Sequence, residues 1–114
     1  MLDDLPGQLA ALRVTFDNIR AVVGVERLQS EIAELSEKAG APDLWDDPEA
    51  AQKVTSGLSH GQADLARVTA VERRLDDLEV LAELAREADD ADTAAEVETE
   101  YAALTKTIGD LEVQ

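Results

Sequence analysis

From Pro48 to Ala88 the chain runs without a further proline, and apolar residues recur through it at helical spacing. They are Ala51, Val54, Leu58, Leu65, Val68, Leu75, Leu78, Leu81 and Leu84, with Gly61 standing in the seam between Leu58 and Leu65. Steps of three and four residues keep one face of a helix apolar. At 1.5 Å per residue such a helix is roughly 60 Å long. A compact domain of 114 residues is narrower than that, so the spacing predicts an elongated fold with one long central helix. Gly57 and Gly61 are its weak points, because each costs roughly 1 kcal/mol relative to Ala in a helix. Spaced by four, they share a face. Either a neighbouring helix approaches closely there or the helix breaks; continuity is the expectation.

Three shorter series flank this run. Leu5, Leu9, Leu12, Phe16, Ile19 and Val23 predict a helix over about 4–23, with Pro6 in the first turn, where the N–H groups lack intrahelical partners anyway. Asp3 and Asp4 precede it, suited to the positive end of the helix dipole. Gly24 then interrupts, as a kink or as a short turn. Val25, Leu28, Ile32, Leu35 and Ala39 predict a second helix over about 25–39, ended by Gly40-Ala41-Pro42. The last series is Ala94, Val97, Tyr101, Leu104, Ile108 and Leu111, predicting a helix over about 93–112. Thr93 with Glu96 matches a capping box, and Asp90 or Asp92 could equally cap.

Each helix carries only one apolar stripe, so each needs a partner. The expectation is an all-α, elongated antiparallel bundle of three to four helices, in a single domain over residues 1–114. The second helix should cover the first half of the long one, and the last helix its second half. Composition agrees: 15 Leu and 19 Ala carry most of the apolar content, and aromatics make up 3%. Leu, Ala, Glu and Arg favour helix, and a sheet would need more aromatic and β-branched residues. The apolar fraction of 45% is too high for a disordered acidic segment.

The least periodic stretch is Pro42-Asp43-Leu44-Trp45-Asp46-Asp47-Pro48-Glu49. Asp47-Pro48 reads as an N-cap followed by proline at the first helical position. Trp45 is the one Trp of the chain. Its ring is expected to plug the end of a small helical core; the alternative is an exposed binding anchor.

Residues able to do chemistry are scarce. The chain has no Cys and one His, which leaves no disulfide framework, thiol nucleophile or multi-His metal centre. His60 stands three residues after Gly57, not Glu, so the Glu-x-x-His pair of a helical di-metal site is missing. It reads as a solvent-facing helix residue. Asp89, Asp90 and Asp92 lack the central Gly and the ligand spacing of a calcium loop. Asp46 and Asp47 have no nucleophile beside them, and there is no Gly-rich phosphate loop. No cofactor is expected, and no catalysis by this segment.

The formal charge is -16, which argues against nucleic acid as a direct ligand, since phosphate binding needs clustered Lys and Arg. It is unevenly spread: residues 71–114 hold 14 acids and 4 bases, a net of -10. Such a face is ordinarily just solvated, but it can steer a basic protein surface. Glu87, Asp89, Asp90, Asp92 and Glu96 are therefore the candidate interaction surface, and Trp45, Asp47 and Pro48 a structural turn. No run reaches the roughly 20 apolar residues of a membrane span, and Met1-Leu2-Asp3-Asp4 is unlike a signal peptide. A cytoplasmic monomer without membrane contact is expected.

One stretch is specific enough to compare with a family. Ala41-Pro42-Asp43-Leu44-Trp45-Asp46-Asp47-Pro48-Glu49-Ala50-Ala51-Gln52-Lys53-Val54-Thr55 resembles the N-terminal domain of the bacterial peptide chain release factor 2 family, with its Pro-Asp-x-Trp-x-x-Pro-Glu-x-Ala-Gln pattern. Leu75-Asp76-Asp77-Leu78-Glu79-Val80-Leu81-Ala82-Glu83-Leu84-Ala85 and Leu111-Glu112-Val113 follow in the same order. Gly57 and Gly61 depart from the bulkier residues usual there. The resemblance implies a factor that reads UGA and UAA on the ribosome and triggers peptidyl-tRNA hydrolysis through Gly-Gly-Gln and Ser-Pro-Phe motifs. Neither motif occurs in these residues, so the chain reads as the first domain alone, without the codon-reading and peptide-release domains. The family role implied is a non-catalytic lobe that reaches stalk-base proteins of the ribosome and the translational GTPase release factor 3. Two rivals stand beside this reading: a generic coiled-coil dimerisation or spacer module, and a cryptic hydrolase or metal enzyme.

Overall fold

The computed structural model describes residues 4–112; Met1, Leu2, Asp3 and Val113, named above, lie outside them. Among these residues four α-helices follow in order: α1 (Leu5–Val23), α2 (Val25–Ala39), α3 (Pro48–Ala88) and α4 (Ala91–Glu112), with a 3-10 turn at Leu44–Asp46 before α3. There is no strand among the described residues. The all-α class with one long helix is thus the class that the apolar spacing predicts.

The helices form two compact units. One is drawn from residues up to Val22 and from Thr69 onward; the other spans Val23–Val68. The first is a three-helix unit of α1, the second half of α3, and α4. Its core is the set of stripes read from the sequence: Leu5, Leu9, Leu12, Phe16 and Ile19 from α1, Leu75 and Leu78 from α3, and Ala94, Val97, Leu104 and Ile108 from α4 are all buried. Phe16, Leu75, Val97 and Leu104 have no exposed surface. Partner residues fix the directions. Arg13 meets Asp76 and Glu79 while Arg20 meets Glu72, so α1 runs antiparallel to α3. Arg74 reaches Glu100 and Thr107, and Leu81 borders the same shallow groove as Asp92 and Ala95, so α4 is antiparallel as well. The sequence stripes did not place α1; it packs on the same half of α3 as α4 does.

The phase of the α3 stripe needs one correction. Leu84, expected in the seam, is 53% exposed, while Val71 and Ala85 are buried. At 100° per residue, Leu84 lies half a turn away from Leu75, whereas Val71, Leu78 and Ala85 stay within one face. Leu bulk suggested the seam, but helical phase decides it, and a small Ala occupies the buried position.

The second unit is a helical hairpin of α2 and the first half of α3. Val25, Ala51 and Val68 are buried, but Leu28, Ile32, Leu35 and Ala39 are only half-buried. Two helices cover one another on one side only, so a two-helix seam stays partly wet where a three-helix core is dry. Here the two glycines find their reason. α3 is continuous through both. A Cβ on Gly57 would lie 3.3 Å from Leu35 Cδ1, and one on Gly61 would lie 3.1 Å from Ile32 Cγ1. The helices approach closely at these positions, so of the two explanations the neighbouring helix is the right one.

The turns follow from their residues. Gly24 adopts φ 72 and ψ 54 and separates α1 from α2. That left-handed conformation is open to Gly without a Cβ clash. Leu28 N–H then donates to Gly24 O at 2.9 Å, the first bond of α2. Asp47 Oδ1 accepts from Ala50 N–H at 3.2 Å, and Pro48 is the first residue of α3, an N-cap that satisfies a helix-end donor.

Candidate functional site

The acidic turn between α3 and α4 is built by two interlocking caps. Asp89 sits at φ 51, the one non-glycine residue with positive φ among those described. Asp89 N–H donates to Arg86 O at 3.4 Å and Asp90 N–H to Ala85 O at 3.3 Å, which closes α3 as a Schellman motif. Asp90 then opens α4. Its Oδ1 accepts from Asp92 N–H at 3.0 Å and Thr93 N–H at 3.3 Å, and its Oδ2 from the Thr93 hydroxyl at 2.9 Å. These bonds, that from the Thr93 hydroxyl foremost, hold the Asp90 carboxyl below the usual carboxylate range. Of the caps considered from the sequence, Asp90 is therefore the one used. Thr93 serves it as a donor instead of starting the helix.

The five acidic candidates are all exposed, and they do not line one common groove. Asp89 and Asp90 border a groove of about 780 Å³ with Leu5, Leu9, Ala85 and Ala94. Asp92 and Glu96 border a shallower one of about 510 Å³ with Leu81 and Ala95. Glu87 lines neither. Glu87, Asp89, Asp92 and Glu96 make no ion pair with a described residue.

Other acids of the same unit are already engaged, which spacing alone did not reveal. The Arg13 guanidinium bonds Glu79 through Nε (3.1 Å) and a terminal nitrogen (2.5 Å), and also reaches Asp76 at 2.5 Å. The hydrogen bond to Glu79 is the largest cause of the upward shift of the Arg13 pKa, so the fork stays charged. Arg74 pairs with Glu100 at 2.8 Å, and Arg86 with Glu83. The available signal was the position of Asp76, Glu79 and Arg13 beside core residues, which becomes a pairing once α1 is placed on α3.

The tryptophan turn brings the second correction. Trp45 is 64% exposed and plugs no core. On a 3-10 turn successive side chains point about 120° apart, so Leu44 and Trp45 cannot both face the helices. Leu44 is half-buried and the indole is left outside. His60 is exposed on α3. Among the described residues no three of His, Cys, Asp or Glu are placed to hold a metal ion, and no helix is long and apolar enough to cross a membrane.

Fold and surface together define an acidic all-helical domain that presents charged turns and an exposed aromatic side chain. Its sequence gives that class a family. The model of the PCRF domain matches residues 28–114, and the chain belongs to the PCRF domain family. It is similar to peptide chain release factor 2 of Beutenbergia cavernae, with 54% identity over 114 residues, and of Arthrobacter sp. strain FB24, with 51% over 110. The same factor of Mycolicibacterium smegmatis is 45% identical over 111 residues. These matches cover 100%, 96% and 97% of this chain but 30% of each relative. The resemblance read from the tryptophan turn is thereby borne out.

Proposed function

We propose that this chain serves translation termination as the non-catalytic first domain of a type 2 peptide chain release factor, an interaction lobe in the cytoplasm. The observation that carries this reading is identity of 45–54% along nearly the whole chain to proteins of that name. The full factor would act on the ribosome at UGA and UAA codons, with peptide release performed by domains bearing Gly-Gly-Gln and Ser-Pro-Phe. In this reading the lobe meets protein: stalk-base proteins of the ribosome, and the translational GTPase release factor 3. Its charge of -16 supports protein over RNA, because ribosomal phosphates repel it. Glu87, Asp89, Asp92 and Glu96 are the proposed contacts around the α3–α4 turn, and the domain works as a monomer.

A chimera tests the reading. This chain replaces the matching segment of the Arthrobacter factor, and stop-codon-dependent peptide release is measured on a reconstituted ribosomal complex. Release close to that of the parent is expected. A folded chimera that binds the ribosome no better than a factor lacking the segment would overturn the assignment. The chain by itself should release no peptide; stop-codon-dependent release by it alone would sink the non-catalytic role.

A further inference from the structure

Trp45 is the largest apolar side chain in the sequence, and the fold leaves it in water. A buried indole contributes more to a core than any other side chain, so its exposure forgoes stability that the hairpin could have used. The backbone that carries the ring is held in place. Leu44 N–H donates to Ala41 O at 3.2 Å and Asp46 N–H to Asp43 O at 3.1 Å, Pro42 and Pro48 fix φ on either side, and the Asp47 cap anchors the turn to α3. A turn whose backbone is already fixed loses less freedom on binding, and tryptophan is among the residue types most enriched in binding anchors.

The surroundings select the partner. Asp43, Asp46, Asp47 and Glu49, all within four residues of Trp45, are exposed, and the sequence has no Lys or Arg between Lys38 and Lys53. A nucleic-acid base could stack on the indole, but its phosphates would then face carboxylates with no cation in the turn to hold them. An anionic lipid surface meets the same repulsion. A guanidinium or ammonium answers both features, because it is attracted to the indole face and forms charge-assisted bonds with the carboxylates beside it.

We propose that the Trp45 turn is a docking anchor for an arginine- or lysine-bearing segment of a partner protein, with the cation seated on the indole and Asp43 or Asp46 accepting its N–H bonds. This goes beyond the role proposed above, since it names a different turn of the chain and does not require the ribosome. The test uses the 114-residue chain, an arginine hexapeptide, and oligouridylate of similar length. Titrations are followed by NMR at the Trp45 indole N–H and the amides of residues 43–47, so that binding elsewhere on the acidic surface is read separately. The hexapeptide should shift the indole signal saturably, and oligouridylate should leave it in place. Trp45→Ala should weaken binding read at the Asp46 amide by about fivefold or more, with Trp45→Phe in between and helix content unchanged in both. Asp43→Asn/Asp46→Asn should weaken it as well. Equal affinity of the wild type and Trp45→Ala at Asp46 would overturn the proposal, as would an indole that responds to oligouridylate and not to the hexapeptide.

Discussion

Asp89 holds the conformation that glycine usually takes at the end of a helix. Its φ of 51 crowds Cβ against the backbone, and its charge stands at the negative end of the α3 dipole. Both effects oppose the fold, yet the chain keeps an acid there, at the edge of the larger groove. Asp89→Gly should stabilise the protein by about 0.5–1 kcal/mol, seen as a rise in the denaturation midpoint. A lower midpoint would show that the carboxylate contributes something the backbone argument omits. Asp90 next to it has the opposite character. It accepts three hydrogen bonds, so its acidity is spent on structure, and Asp89 is the freer of the pair.

At the scale of single helices, α3 shows how phase and bulk can disagree. Leu78 is 2% exposed and Leu84 53%, though both are leucines six residues apart on one stripe by eye. Leu78→Ala should cost about 2–5 kcal/mol, and Leu84→Ala less than about 1 kcal/mol. Comparable losses from the two in urea denaturation would refute this phase. Gly61 makes the complementary point. Alanine gains roughly 1 kcal/mol over glycine in a helix interior, but its Cβ would press on Ile32 Cγ1 at 3.1 Å. Gly61→Ala should bring no gain in the wild type and a gain of up to about 1 kcal/mol in an Ile32→Ala background. Additive effects of the two changes would remove the close-approach argument.

For the molecule as a whole, the question is whether charge repulsion or ion pairing dominates. The chain has 26 acids against 10 bases, while the helix-to-helix pairs of Arg13, Arg20 and Arg74 have side chains 24%, 37% and 40% exposed. Pairs this accessible are each worth about 0–1 kcal/mol, whereas repulsion within residues 71–112 involves many acids at once. Screening should therefore help more than it harms. The thermal midpoint should rise as NaCl goes from about 10 mM to about 150 mM, where the Debye length falls from about 30 Å to about 8 Å. A midpoint that falls would give the weight to the Arg13 fork.

The helices were legible before any packing was known, because their stripes and turn residues are local: Leu5 to Ile19, Val97 to Ile108, Gly24 and Asp47-Pro48 each carry their meaning within a few turns of chain. The sequence also carried the family, through the residues around Trp45. Tertiary structure alone decided which stripes meet. Nothing local in α1 says that it packs on the half of α3 that α4 covers, and only that packing turns Asp76 and Glu79 from free acids into partners of Arg13. It likewise decided that Gly57 and Gly61 mark a close approach, that Asp89 and Asp90 border one groove and Asp92 and Glu96 another, and that Leu44 is half-buried while Trp45 faces water. The reason is common to all four. A periodic pattern states which side of a helix is apolar, but the neighbour that covers it comes from far along the chain, and only the packed helices bring the two together.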